Sequence, residues 1–170
     1  MECVAEFGHN PAFIFAVAPF QVPIMPVTQW TPQLALNHAE MDHTHQEFVD
    51  LLNRVADATG EAIARELDAL IAHTEAHFAQ EQQWMAQAAF PPAQCHVHEH
   101  EGVLEISREV RKRVAEGETH LAAVLAKAVA EWFTHHAAGM DLMLALYLKQ
   151  PEPFQAALAC QTGCEPVTSA

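Results

Sequence analysis

Apolar side chains recur at helical spacing along four stretches in the middle of the chain. Residues three and four positions apart share one face of an α-helix, so each such stripe predicts a helix with one buried side. Histidines and carboxylates lie on the same stripes, where a buried ionisable group needs a partner. The stripes of the first, second and fourth stretches contain Met41, His45, Phe48, Val49 and Leu52; Leu70, His77, Phe78, Glu81, Trp84 and Met85; and Val129, Trp132, Phe133, His136 and Met140.

Prolines and glycines mark the ends of these stretches. Five of the ten prolines come before position 33 and three come after position 150, which leaves only Pro91 and Pro92 between them. Proline interrupts helices, and Gly60 and Gly117 supply two further breaks. The sequence therefore predicts four helices, over residues 40–58, 61–89, 93–115 and 118–149.

The short loops between these helices predict the fold. Long helices joined by short loops pack as antiparallel neighbours, and 170 residues is the usual size of a single domain. We expect an all-α fold, an antiparallel up-down-up-down four-helix bundle over residues 30–150, with an irregular Pro-rich N-terminal leader over 1–29 and a short C-terminal tail over 151–170. The apolar content of the leader predicts that it packs on the bundle or mediates self-association.

Charge and targeting signals narrow the choice of partners. Eight Lys and Arg residues against 22 Asp and Glu residues give a net charge of -14, which repels nucleic acid and anionic membrane surfaces. The apolar run at 12–20 is too short to span a bilayer. The first 30 residues contain no Lys or Arg, unlike a secretory signal. We expect a cytoplasmic protein with no nucleic-acid or membrane partner.

The four cysteines do not form a disulfide framework, because they are few and widely spaced, which favours reduced thiols. Cys95 adjoins His96, where it is either a functional thiol or, as we favour, an ordinary residue at a helix start. Cys160 and Cys164 lie four positions apart in the tail. A metal or redox site there would need more ligands than these two.

Seven ionisable side chains on the four predicted helices have the spacing of metal ligands. Residues four apart lie one above the other on a helix, so HxxxE and HxxxH each present a chelating pair. In HxxxxD, five residues advance about 7.5 Å and turn part-way round the axis, which suits a carboxylate that bridges two metals. A bundle that directs all seven inward offers the ligand set of a di-iron centre: His45; His77 and Glu81; His96 and His100; His136 and Asp141.

Two other kinds of metal site fit the sequence less well. A ferritin-like di-iron protein uses ExxH pairs on two helices together with further glutamates. The ExxH pairs in this chain, Glu6/His9 and Glu40/His43, do not combine with the other motifs. A structural zinc site normally takes four ligands rather than seven. Histidine-rich di-iron ligation is the favoured interpretation.

Four motifs together resemble those of the hemerythrin family. They are MDHTHQEFV around His45, HFAQEQQWM at His77 and Glu81, HVHEH at His96 and His100, and WFTHHAAGMD ending at Asp141. One HxxxH alone is a weak signal, whereas four motifs in the family's order are specific. The resemblance covers about residues 30–148.

The resemblance implies a cofactor of two iron ions with a bridging oxide or hydroxide, and no haem. By motif it assigns three residues to one iron, two to the other and two carboxylates to both: His96, His100 and His136; His45 and His77; Glu81 and Asp141. The two-histidine iron then has an open position where O2 binds end-on and reversibly, as a peroxide-level ligand.

Several functions share such a centre. Reversible O2 binding by a carrier, store or sensor is the first choice. The alternatives are a di-iron redox enzyme acting on peroxide or nitric oxide, or an iron-handling protein. A catalyst would need an electron donor, and a sensor would need a downstream partner protein.

An apolar pocket is expected above the open iron, because water and protons would release bound oxygen as peroxide. The candidates, each within one turn of a ligand, are Phe48, Phe78, Trp132, Phe133 and Ala137. For any one of the aromatic residues, an ordinary core position is an equally good interpretation. The family usually has a bulky aliphatic residue just after the last histidine, so Ala137 departs from its pattern and enlarges the expected pocket.

Other residues near the motifs have simpler interpretations. Gly139 in mid-helix costs about 1 kcal/mol relative to Ala, which suggests close approach of a neighbour or ligand. His73 lies one turn before His77, where it is either solvent-facing or a group that lines the pocket or orients a ligand. The remaining histidines are expected to face solvent: His9, His38, His43, His98, His120 and His135.

Overall fold

The computed structural model describes residues 26–152, and the regular elements within that range are all helical. A 3₁₀ turn at Pro32–Leu34 precedes helices α1 (Ala39–Asp57), α2 (Ala62–Ala88), α3 (Ala93–Ala115) and α4 (Leu121–His136), and a π-helical turn at Ala137–Asp141 joins α4 to α5 (Leu142–Lys149). The all-α prediction is confirmed for this part of the chain. None of these helices is long and apolar enough to cross a membrane. The expected packing of residues 1–25, nearly all of the tail, Cys160 and Cys164 lie outside the described residues.

Local backbone chemistry sets the helix ends close to their predicted positions. The Nδ1 atom of His38 accepts a hydrogen bond from the backbone N–H of Met41 at 3.3 Å and so caps the start of α1. Left-handed backbone at Ala89, with φ of 51°, ends α2, and Gly117, with φ of 105°, follows the end of α3. The first three helices begin and end within one residue of the prediction, whereas α4 starts at Leu121 rather than at 118.

Four helices surround the core. Helix α1 packs against α2 and α4, and α3 packs against the same two helices. The buried apolar side chains form two clusters, a larger one around Phe48, Leu52, Leu67, Leu125 and Phe133 and a smaller one around Met41, Met85, Phe90, Leu144 and Tyr147. Removal of this apolar surface from water, at roughly 25 cal/mol per Å², is the main force that holds the helices together.

A buried polar layer lies between the two clusters. On α1, His45 comes one turn after Met41 of the smaller cluster and just before Phe48 of the larger one. On α2, Glu81 lies between Phe78 of the larger cluster and Met85 of the smaller one. The histidine and glutamate side chains are thus enclosed by apolar groups along the axis of the bundle, and both are fully buried.

Candidate metal centre

All seven side chains that the sequence predicts as ligands project into this buried layer. None exposes more than 6% of its surface. One comes from α1 and two from each of α2, α3 and the stretch formed by α4 with its π-helical turn. Their donor atoms fall into two groups that could each hold a metal ion: Glu81, His96, His100, His136 and Asp141; and His45, His77 and Glu81.

Three imidazoles converge in the first group. The Nε2 atom of His136 lies 2.9 Å from Nε2 of His100 and 3.0 Å from Nε2 of His96. Two donors bound at right angles to one ion, each at about 2.1 Å, would lie about 3.0 Å apart. The spacing of the three nitrogens therefore matches that of ligands on a single metal.

The Glu81 carboxylate faces both groups. Its Oε1 atom lies 3.0 Å from Nε2 of His77 and 3.8 Å from Nε2 of His45. Its Oε2 atom lies 3.2 Å from Nε2 of His96 and 3.6 Å from Nε2 of His100. One oxygen is therefore directed to the two-histidine group and the other to the three-histidine group.

The Asp141 carboxylate also faces both groups of histidines. Its Oδ2 atom lies 3.3 Å from Nε2 of His45. Its Oδ1 atom lies 3.1 Å from Nε2 of both His96 and His136. Both carboxylates are thus in position to contact two ions at once.

A π-helical turn brings Asp141 next to the last histidine. The backbone N–H of Leu142 bonds to the carbonyl of Ala137, five residues back rather than the four of an α-helix. The sequence predicted one regular helix through this region, and that prediction is wrong at the π-helical turn. A regular α-helix would place positions 136 and 141 about 140° apart around the axis. The wider turn reduces that angle.

Several donor atoms in the layer make no hydrogen bond within the described part of the chain: both nitrogens of His45, Nδ1 of His77 and of His96, Oε2 of Glu81, and both oxygens of Asp141. A buried polar atom left unpaired is costly, so native proteins seldom contain many. Metal ions bound between the groups would satisfy the inward-facing atoms. Imidazole with carboxylate is a donor set that suits iron, so these residues fit a two-metal centre.

The carboxylates also control the charge of the histidines. Burial by itself would lower the pKa of His45 and of His96, but the nearby carboxylates of Asp141 and Glu81 favour the charged imidazole and raise each pKa to about 9. Burial opposes ionisation of the two carboxyls as well, yet the surrounding histidines favour the charged carboxylates and lower both carboxyl pKa values. His100 differs, because burial and its histidine neighbours lower its pKa to about 3. In the metal-free protein the carboxylates therefore hold protons on His45 and His96.

Two of the five pocket candidates lie by the two-histidine group. Phe133 presents its edge to His45, with ring centroids 5.0 Å apart, and Phe48 lies 6.0 Å from His77. The two phenylalanines contact each other at 5.1 Å, and Ala137 is fully buried in the same apolar cluster. The two phenylalanines form an apolar wall beside the smaller group of ligands.

The other two candidates contact the three-histidine group. Phe78 stacks on His100, with centroids 3.6 Å apart, and also lies 5.3 Å from His77. Trp132 stacks on His136 at 4.3 Å and donates its indole N–H to Glu99 at 3.1 Å. Phe78 therefore reaches both groups, whereas Trp132 covers the histidine that ends α4.

Sequence reasoning missed one neighbour of the site and left another open. The ring of Trp30 lies 6.5 Å from that of His45; it comes from the irregular segment before α1, where no periodicity could signal it. His73 is half-buried, and its Nε2 atom donates to the backbone carbonyl of Thr44 at 3.2 Å. Burial and the nearby His77 lower the pKa of His73.

The expectations for Gly139, for Cys95 and for the histidines outside the centre have different outcomes. Among residues 26–152, no atom outside its own helix backbone and chain neighbours lies within 4 Å of a Cβ added at Gly139, so the expected close approach of a protein neighbour is wrong for this part of the chain. Cys95 is exposed and free. Four of the histidines expected to face solvent are exposed: His43, His98, His120 and His135. His38 instead caps α1.

Known proteins resemble this chain in sequence. A family model described as the hemerythrin HHE cation binding domain matches residues 37–147. The bacteriohemerythrin of Ralstonia nicotianae is 47% identical over 129 residues, which cover 76% of this chain and 94% of that protein. The bacteriohemerythrin of Methylococcus capsulatus is 26% identical over 122 residues, which cover 69% of this chain and 93% of that protein.

Solved structures agree with the sequence relatives. Crystal structures of two hemerythrin mutants, in which one leucine is replaced by tyrosine or by alanine, each match with a TM-score of 0.68 and 26% identity. Each match covers 73% of this chain and 98% of the mutant chain. The family match begins just before α1 and ends within α5, so it includes all seven of the clustered side chains.

Proposed function

The chain belongs to the hemerythrin family, and we propose that it binds O2 reversibly at a non-haem di-iron centre, as a carrier, store or sensor. One observation carries the proposal. Two buried carboxylates each face two groups of histidines, and the groups are unequal, with three imidazoles in one and two in the other. An unequal pair leaves one metal with fewer protein ligands and therefore with room for an external one.

The positions of the proposed ligands assign them to two iron ions. His96, His100 and His136 would hold one iron, and His45 and His77 would hold the other. Glu81 and Asp141 would bridge the two ions, together with an oxide or hydroxide. The three or four negative charges of such bridges, for hydroxide or oxide, would offset much of the charge of the metals in a dry interior.

The protein's own residues supply the conditions for reversible binding. When bound, the two irons supply the two electrons that O2 takes up and recover them when O2 leaves. Phe48 and Phe133 exclude water beside the two-histidine group, because both are buried and apolar, and Ala137 is buried in the same apolar cluster. This apolar wall would keep water and protons away from oxygen bound at the two-histidine iron, which would disfavour its loss as peroxide.

We also propose that the four helices alternate in direction, as their short loops favour. The oxygen-binding unit would then span about residues 30–150. Residues 1–29 and 151–170 would flank it.

Optical spectroscopy tests the proposal. The protein is loaded with iron, reduced without air, exposed to O2 and then evacuated, and iron is counted per chain. Reversible appearance and loss of charge-transfer bands, with two irons per chain, is the expected result. Immediate oxidation without a lasting adduct, together with turnover of peroxide or nitric oxide, would replace binding by catalysis. An equally stable protein that retains no iron would reject both.

A further inference from the structure

A second group of metal donors lies on the surface beside the two-histidine end of the centre. It consists of His43 and Glu47 on α1 and His73 on α2, which we call the entry cluster. The Nε2 atom of His43 lies 3.4 Å from Oε1 of Glu47. The Nδ1 atom of His73 lies 3.9 Å from Oε2 of the same carboxylate. Glu47 therefore stands between two imidazoles that come from different helices.

The hydrogen bond of His73 fixes which of its nitrogens can bind a metal. The Thr44 backbone oxygen can only accept, so Nε2 of His73 carries the proton. In a neutral ring the Nδ1 atom is then an acceptor, and it faces a carboxylate oxygen that is also an acceptor. Two facing acceptors gain nothing from each other, but a cation between them would bind both.

The distances suit a cation that the side chains close upon. Two donors on one ion at about 2.1 Å lie about 3.0 to 3.4 Å apart, depending on the coordination geometry. The 3.4 Å spacing of His43 and Glu47 already meets this, and the 3.9 Å spacing of His73 and Glu47 is slightly wider. The three donor atoms do not all lie within 4.8 Å of one another, but the His43 and Glu47 side chains are 73% and 52% exposed and can rotate to close on a cation.

The position of His73 connects the surface with the buried layer. His73, His77 and Glu81 follow one another at four-residue intervals on one face of α2, and the His73 and His77 rings lie 6.2 Å apart. This is about the 5.4 Å rise of one helical turn. A cation held by His73 is therefore one step from a proposed ligand of the two-histidine iron.

We propose that the entry cluster binds a divalent first-row cation weakly and passes Fe(II) to the two-histidine side of the centre. The net charge of -14 attracts cations to the surface in general, and the cluster gives them a defined site. The delivery step rests on the proposed iron centre, whereas the surface site does not.

Zinc titration of the iron-loaded protein tests the site, because the buried ligands are then occupied. Calorimetry should detect one additional zinc ion per chain. His73→Gln and Glu47→Gln should each weaken this binding about tenfold or more. Matched variants on α3, His98→Gln and Glu105→Gln, should bind zinc as the wild type does. Absence of the additional ion, or equal weakening in all four variants, would overturn the site.

Iron uptake tests the delivery step. Metal-free wild type and variants are mixed with Fe(II) without air, and the rate of incorporation is followed. His73→Gln should slow uptake severalfold with an unchanged final iron content, and His98→Gln should not. Equal rates would overturn delivery. Failure to form an oxygen adduct would contradict the proposed function but leave the zinc result unchanged, so the two proposals fail separately.

Discussion

The Nε2 atom of His136 lies 3.1 Å from Oδ1 of Asp141, although five residues of regular α-helix would place the two about 140° apart. The contact exists because the backbone widens into a π-helical turn between them. Such single turns inside α-helices are rare and are frequently found at functional sites. In this protein the turn converts the last histidine and the last carboxylate into neighbours on one face.

Asp141→Asn should weaken retention of both metals. Asparagine keeps the shape of the side chain but removes the negative charge and one of the two acceptor oxygens. The two oxygens of Asp141 face His45 on one side and His96 and His136 on the other. Loss of iron to a chelator should be about tenfold faster or more. Iron counting over time checks this, and Asp68→Asn, at an exposed ion pair with Arg111, serves as control. Equal rates in all three proteins would contradict a bridging role.

Metal binding should release protons. The pKa values of His45 and His96 are raised to about 9 in the metal-free protein, so both imidazoles are charged at pH 7. Only neutral imidazole binds a metal, and about two protons per chain should leave at pH 7 and almost none at pH 10. Calorimetry of anaerobic Fe(II) binding in buffers of different ionisation enthalpy measures the number. The same number of released protons at both pH values would contradict the prediction that His45 and His96 are protonated in the metal-free protein at pH 7.

The same protons should stabilise the metal-free fold at lower pH. Histidine in the unfolded chain has a pKa of about 6.5, so folding raises the pKa of His45 and His96. Their contribution is fully present below the unfolded value and is lost as the pH rises through about 9. The melting temperature of the metal-free protein should therefore fall between pH 7 and 10. The fall should be smaller in His45→Gln, and an equal fall in both proteins would show that other groups cause it.

Sequence periodicity could locate four of the clustered side chains, His45, His77, Glu81 and His136, because each lies on a buried helical stripe next to core residues. His45 follows Met41 by one turn, and Glu81 lies between Phe78 and Met85. These are local relationships within one helix. The order of the four motifs along the chain then indicates that all seven residues belong to one metal centre.

Other features depend on relationships that no single helix contains. The entry cluster requires the register of α1 against α2, which brings Glu47 next to His73. Trp30 comes from an irregular segment whose path is set by packing on α1. The π-helical turn at Ala137–Asp141 has no marker in composition, since the surrounding residues would suit an ordinary helix equally well.

Phe133→Leu should shorten the lifetime of the oxygen adduct. The substitution removes the ring edge that lies against His45, so water gains access to the two-histidine side. Oxidation of the oxygenated protein should become severalfold faster, with a loss of stability of roughly 1 kcal/mol. The decay of the charge-transfer bands measures the rate. Phe90→Leu is the matched control, because Phe90 is equally buried but contacts Tyr147 in the smaller cluster. Equal acceleration in both variants would attribute the effect to lost stability rather than to the pocket wall.

Gly139→Ala should stabilise the protein without loss of iron. Gly139 lies inside the π-helical turn, its φ is not positive, and an added Cβ would meet no atom within 4 Å. Alanine loses less backbone freedom on folding than glycine, so a gain of about 0.5 to 1 kcal/mol is expected. Urea denaturation of the metal-free protein measures it.

Gly102→Ala separates the effect of the π-helical turn from that of helical backbone in general. Gly102 lies within α3, and a Cβ there would also meet no atom within 4 Å. If both substitutions stabilise the fold equally, glycine has no special role in the turn. If Gly102→Ala stabilises the protein while Gly139→Ala destabilises it or lowers its iron content, the wide turn needs the freedom of glycine. Residue 139 would then help to hold Asp141 against His136, and the prediction that Gly139→Ala stabilises the protein without loss of iron would be wrong.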